Sequence, residues 1–235
     1  CFSIAYTNPI VRYISMMMIS FNIIYHLSDV IHSDYVRNVF TGDPVAMNAY
    51  LNCVGKYLGI YAVIFSWVLS GSFVRRFGIG PSLLFTPVLW FILSILDLLS
   101  QLSILPVVPV TWYGHIVPMY LLSFSLILSV GRAAKFTVFD TAKEMSLLPL
   151  SLEEKRLGKA SIDGLTSRLG KTGGAWLVII LLQQLGSLAA ALMPLKIAMM
   201  LAYGLWFWSV FRLITVLKVY GHEEKEAFNG AMAAA

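Results

Sequence analysis

The chain has 235 residues, of which 58% are hydrophobic and only 12% charged. A soluble domain carries charge on roughly 25% of its residues, so this composition excludes an ordinary water-soluble protein and points to the lipid bilayer as its solvent. The net charge of +5 does not imply a nucleic-acid partner, because the basic residues lie between apolar runs rather than along a polar face.

Six stretches approach the roughly 20 apolar residues a helix needs to cross the hydrocarbon core. The first runs from Ile10 to about Ile31 and carries Ser15, Asn22, His26, Asp29 and Ser33 at intervals of seven, four, three and four. That spacing puts the five on one helical face. Facing lipid it would be costly, so it lines a cavity or meets another helix; alternatively Asp29 and Ser33 lie in the headgroup zone. The second stretch, Met47 to Val74, holds Asn48, Asn52, Lys56, Gly59, Ser66 and Ser70 and is stopped by Arg75 and Arg76. The third, Pro81 to Ser103, contributes Asp97 and Gln101, four residues apart. Two readings of Lys56 stand side by side, an ion pair with Asp97 and a contact to solute.

The fourth stretch runs from Val110 past Val130, with Pro118 as an expected kink. Arg132, Lys135, Phe139 and Lys143 continue its face. After Pro149, Ser151 and Glu154 have capping-box spacing and should open a helix with an apolar side at Leu152, Leu157, Ile162, Leu165 and Leu169. Gly170-Lys171-Thr172-Gly173-Gly174 follows. It is not a P-loop, since Gly164 is one residue too far from Gly170 and no strand precedes it. Either the segment offers backbone N–H groups and Lys171 to an anion at a helix start, or its glycines serve packing and Lys171 is a cytoplasmic-side charge. The fifth span is Gly173 to Leu192, where Gln183 and Gln184 can join helices, and the sixth is Leu195 to Val219, with Arg212 as an interfacial anchor.

With both termini on the cytoplasmic side, thirteen basic residues lie there, against Arg37 and Lys196 on the other. This asymmetry fits an even number of crossings. Trp112, Tyr113 and Tyr220 sit where interfacial anchors belong. Two cysteines, Cys1 and Cys53, make no disulfide framework and four histidines show no metal spacing, so no metal or other cofactor is expected. The first residue is Cys1 rather than Met, and the chain reads as a piece of something longer.

The stretch from Arg132 to Gly174, with FDTAKEM, the Pro149-Leu150 pair, RLGKA and RLGKTGG in order, resembles the nucleotide transporter family, the ATP/ADP antiporters of plastids and obligate intracellular bacteria. The Gly71 to Gly78 turn, GSFVRRFG, is similar to the basic inter-helix loop of major-facilitator carriers. The six expected stretches with one long connection read as an all-α integral membrane fold of six transmembrane helices, 3+3 like one half of a major-facilitator-type carrier. The resemblance implies a missing N-terminal half and nucleotide exchange by alternating access, with no covalent catalysis. Residues 1–103 would hold the first three helices, 104–219 the last three with a cytoplasmic linker at 132–172, and 220–235 a polar tail. The family's transport lysine falls on Lys171, and its glutamate in the first helix of this half falls on Asp29. Aspartate is a shorter arm, and His32-Ser33 stands where Trp-Lys is common in the family, which bears on whether the exchanged pair is ATP and ADP.

The expected substrate-binding set is Lys171, Asp29, Arg132, Lys135, Asn22, His26 and Lys56. The expected partners are a nucleotide and the bilayer, in a bacterial inner membrane or a plastid-type envelope. Three other functions remain open: a facilitator for another organic phosphate, a non-transporting membrane subunit, and an enzyme acting on phosphorylated lipids. The last would need a base at the cytoplasmic side, where His222 is the candidate.

Overall fold

The computed structural model describes residues 4, 7–68, 72–102 and 110–234, the side chains of 72 and of 221–234 excepted. Cys1, Ser70, Gly71, Ser103 and the side chains of His222 and Lys225 therefore lie outside the described residues.

Helix α1, Pro9–Val39, starts where Asn8 accepts hydrogen bonds from the Ile10 and Val11 amides and Pro9 supplies a first-turn residue that needs no donor. It is the central element and packs against α7, Ser167–Leu185, and α8, Leu188–Ala234. Helix α2, Pro44–Val68, leans on the middle of the later helix α5, Met119–Ser146, and only Ala46 and Tyr50 of α2 are buried. A short α3, Ser72–Phe77, carries Arg75 and Arg76, and Gly78 at φ 82° turns the chain into α4, Ile79–Gln101.

A β-hairpin follows where the sequence suggested the start of the fourth span. Strands β1, Val110–Trp112, and β2, His115–Val117, pair antiparallel with Trp112 opposite His115. Tyr113 and Gly114 both take positive φ, the geometry of a tight two-residue hairpin turn. Pro118 does not kink a helix. It stands at the N-cap, and the span is displaced to α5, Met119–Ser146.

Two wide π turns interrupt α5, at Ile127–Gly131 and Lys135–Phe139. The hydroxyls of Ser125, Ser129, Thr137 and Thr141 donate to carbonyls four residues back, at 2.8, 2.7, 2.8 and 2.6 Å. Such bonds compete with the regular ladder and bend helices. The π turns also break the expected single face of Arg132, Lys135, Phe139 and Lys143. Phe139 turns into the core, edge-on to Trp206 at 5.6 Å, while Lys143 turns toward Asp163 at 3.0 Å.

Helix α6, Leu152–Lys159, begins with the expected capping box, Ser151 and Glu154 bonding each other reciprocally. A π stretch, Ala160–Thr166, carries it without a break into α7. Helix α7 ends at Gly186, which is left-handed at φ 74°, so the expected fifth span is cut short of Leu192. Polar residues at its start, Arg168, Lys171 and Thr172, keep it from reaching the apolar length of a crossing. Helix α8 begins at Leu188 and runs through Pro194 rather than starting after it. Five helices are long and apolar enough to cross a membrane: α1, α2, α4, α5 and α8 up to Tyr220. The chain is thus an all-α membrane protein with five such helices among its described residues, where six were expected.

The core lies where α1, α4, α5 and α8 meet. Phe21 sits edge-on to Trp90 at 5.5 Å and to Trp206 at 5.6 Å. Trp90, Trp206, Tyr203, Phe124 and Phe139 are all fully buried. Burying an aromatic side chain contributes about 2 kcal/mol in water, but in lipid the gain is mainly close packing.

Candidate functional site

Helix α7 can approach α1 closely because it has glycines four residues apart on the contact face. A Cβ built on Gly170 would lie 2.7 Å from the Ile19 carbonyl oxygen and 2.7 Å from the Asn22 Cβ, and one on Gly174 would lie 3.2 Å from the His26 ring. Small residues at this spacing let helix backbones touch. The two alternatives for GKTGG are thereby separated. The segment lies inside a continuous helix, so its N–H groups are not a free helix terminus, and the glycines pack. Gly173 is the exception, with open space around it.

Close approach leaves Lys171 at the edge of a cavity of about 220 Å³ between α1, α5 and α7. Asn22, Arg132, Lys135 and Lys171 all line it, together with Phe21 and Tyr25. Four of the seven expected residues are therefore brought together. Arg132 lies over the Tyr25 ring at 5.0 Å, and the Lys135 Nζ lies 5.2 Å from the Phe21 ring centre and 4.7 Å from that of Phe136. Cations over aromatic faces are held by the ring quadrupole. Lys135 also pairs with Asp140 at 3.0 Å. Among the described residues neither Arg132 nor Lys171 has an ion-pair partner. The buried Asn22 amide donates to the Met18 carbonyl oxygen at 2.7 Å.

The other three expected residues stand apart. His26 is one turn along α1, against Gly174, and Asp29 is exposed two turns beyond Asn22. Lys56 is exposed on α2, and the proposed pair with Asp97 is not formed. Asp97 pairs instead with Lys196 of α8 at 2.7 Å, both almost fully buried. Tyr35 donates to Asp97 at 3.4 Å, accepts from Gln101, and lies under the Lys196 ammonium at 5.5 Å. The expected span Leu195 to Val219 puts Lys196 at its start, among the charges on the side away from the cytoplasm. The helix runs through Pro194 and carries the lysine inward.

The sequence reading missed Phe21, Tyr25, Phe136 and Asp140. For Phe21 and Tyr25 the signal lay in the first helix: Met18, Phe21, Asn22 and Tyr25 also follow a three-four spacing and share Asn22 with the polar stripe. Another cavity of about 260 Å³ lies between α2, α5 and the hairpin, lined by Tyr50, Cys53, Tyr57 and Trp112 among others. Its Tyr50 and Ser125 hydroxyls bond each other at 2.7 Å, and no charged group lines it. It lacks what a charged solute needs.

Residues 1–216 match the family model for the TLC ATP/ADP transporter. ADP,ATP carrier protein 2 of Chlamydia trachomatis is 31% identical over 210 residues, 84% of this chain and 37% of that protein. ADP,ATP carrier protein 1 of Chlamydia muridarum is 26% identical over 100% of this chain and 44% of its own length. ADP,ATP carrier protein 3 of Rickettsia felis is 30% identical over 70% of this chain and 34% of its own. The chain thus spans less than half the length of these curated relatives. No solved structure matches it. A family match running through all five apolar helices and the whole cationic cavity leaves one assignment: the chain belongs to the TLC ATP/ADP transporter family.

Proposed function

We propose that the chain is the C-terminal half of a membrane carrier that exchanges nucleotides of the ATP/ADP type by alternating access. The observation that carries this reading is the cavity at α1, α5 and α7, where three cations converge and, among the described residues, one carboxylate, Asp140, is in ion-pair contact with them. Uncompensated cations beside an apolar bundle are costly. A polyanion that meets all three offsets that cost, and spreading its charge over several long side chains lets it leave again. The cavity is smaller than the roughly 300–1,000 Å³ of sites that enclose a small molecule, so it suits the phosphate chain, with the nucleoside extending beyond it. Phe21 and Tyr25, whose rings stack 6.1 Å apart, offer an aromatic wall beside the cations.

A second half of similar design is supported by α2. Its exposed flank presents Asn48, Asn52, Gly55, Lys56 and Gly59, polar and small residues that suit a helix partner or a water-filled passage better than lipid. Lys56 fits this role better than a pair with Asp97. The charge asymmetry of the loops supports cytoplasmic termini and an even number of crossings, with α7 as the sixth, and six crossings suit a 3+3 arrangement. The named relatives come from Chlamydia and Rickettsia, which fits a bacterial cell membrane. His26 and Asp29, farther along α1, extend the path from the cavity toward its other end.

The test is counter-exchange of radiolabelled ATP and ADP in proteoliposomes. Lys171→Ala and Arg132→Ala should each lower exchange by at least about tenfold, as expected for losing a charge-assisted contact, with membrane insertion unchanged. Wild-type rates in both would remove the site. Competition by a panel including AMP, sugar phosphates and inorganic phosphate separates nucleotide exchange from transport of another organic phosphate.

A further inference from the structure

Asp140 holds an unusual position. Its Oδ2 lies 3.0 Å from the Lys135 ammonium at the cavity wall, and its Oδ1 lies 3.9 Å from the Lys143 ammonium on the far side. That Oδ1 is buried without a hydrogen-bond partner. Lys143 is itself nearly buried and binds Asp163 at 3.0 Å, in the π stretch that leads into α7. Asp140 therefore straddles two lysines, one belonging to the cavity and one to the scaffold.

We propose that Asp140 is a built-in competitor for phosphate: it holds Lys135 until the phosphate chain of a nucleotide takes the lysine over, and then rests on Lys143. This deepens the reading above and depends on it. A carboxylate presents two anionic oxygens much as a phosphate does, and each makes short charge-assisted bonds to an ammonium. A phosphate chain brings several charges where Asp140 brings one, so it wins the lysine only when it also meets Arg132 and Lys171. The exchange is feasible because Lys143 is already within 4 Å, so the displaced carboxylate is not left unpaired. Glu144 Oε1 also lies 3.7 Å from the Lys143 ammonium, but the stronger hold on Glu144 is Lys159 at 2.9 Å from its Oε2, so room on Lys143 remains for Asp140. Asp140 is thus a positioning residue that sets how much negative charge a solute must carry to bind.

The sign of the effect separates this role from a structural one. In purified protein reconstituted in nanodiscs, calorimetric titration with ATP and with AMP should show Asp140→Asn binding ATP about tenfold more tightly, the value of one charge-assisted bond no longer opposed. AMP should gain less. In a Lys135→Ala background the same substitution should have no effect, whereas a general change in local charge would persist. Lys143→Gln should weaken ATP binding severalfold, because Asp140 then has only Lys135 to rest on. Unchanged or weaker ATP binding by Asp140→Asn, or a gain that survives removal of Lys135, overturns the proposal. Should Asp140→Asn fail to insert, unchanged ATP affinity in Lys143→Gln overturns it equally. If wild-type protein binds no nucleotide, the carrier reading falls and takes this role with it; if wild type binds and only the predicted signs are wrong, the carrier reading stands.

Discussion

A single charged side chain inside this bundle behaves according to whether it has found a partner. Asp97 and Lys196 have, at 2.7 Å, and Tyr35 closes the network from α1. Neither is available to a solute, so the pair ties α4 to α8. Removing one partner leaves a buried charge and costs about 3–5 kcal/mol, whereas replacing both is far less harmful. Lys196→Met and Asp97→Asn should each lower the thermal unfolding temperature in detergent by many degrees, and the double variant should recover a large part of the loss. Equal losses in single and double variants would show that the pair does not act as a unit. By contrast neither Arg132 nor Lys171 has a carboxylate partner among the described residues, which supports the proposal that they meet an anionic solute. That distinction was not legible in the sequence. Lys56, Lys171 and Lys196 look alike as isolated lysines near apolar runs, and only the course of α8 through Pro194 shows which of them is neutralised.

Helices were legible wherever their own chemistry punctuates them. Ser151 with Glu154 says where α6 starts, and the apolar runs say where α1 and α4 lie. Reading failed where a local feature overrode the average hydropathy. Tyr113-Gly114 folds an apolar run back as a hairpin, Gly186 ends α7 early, and the hydroxyls of α5 widen its turns so that a 3.6-residue rule misplaces Phe139 and Lys143. The glycines of α7 were ambiguous for a different reason, since packing and anion binding ask for the same residue. Their contacts now predict unequal tolerance. Gly170→Val should disrupt the α1–α7 contact and abolish folding or nucleotide binding, because its Cβ meets the backbone at Ile19. Gly173→Ala, with open space around it, should be neutral or gain up to about 1 kcal/mol of helix propensity. Thermal stability of the two variants in detergent checks both, and equal sensitivity would contradict the packing described.

At the scale of the molecule, the polar layer at the start of α1 is tied to the start of α6. Asn8 caps α1 through its carbonyl oxygen and donates from its amide to Glu154 at 3.3 Å, while Glu154 closes the α6 capping box. The Ser151 hydroxyl and amide, then Asn8, hold the Glu154 carboxyl below its ordinary value of 4.5. A lowered carboxyl pKa in the folded protein stabilises it fully above that ordinary value. The contribution disappears as pH falls through the lowered one. Acid unfolding below about pH 4.5 should therefore include a component that Glu154→Gln removes, seen as a flatter dependence of unfolding temperature on pH; an unchanged slope would show that this tie bears no load. Because Glu154 is only half-buried, the effect will be modest and reduced by salt.

The wide turn at Lys135–Phe139 has a further implication for how this protein tolerates changes of length. A π turn amounts to one surplus residue in an α-helix. Deleting one residue there would let the wide turn close to an ordinary α-turn and absorb the loss, so the helix beyond it would keep its facing. The same deletion in a regular turn would swivel everything downstream by about 100°. The surplus residue also sets Lys135 and Asp140 five positions apart yet 3.0 Å from each other. This segment should therefore bear a missing residue better than the regular turns of the same bundle do.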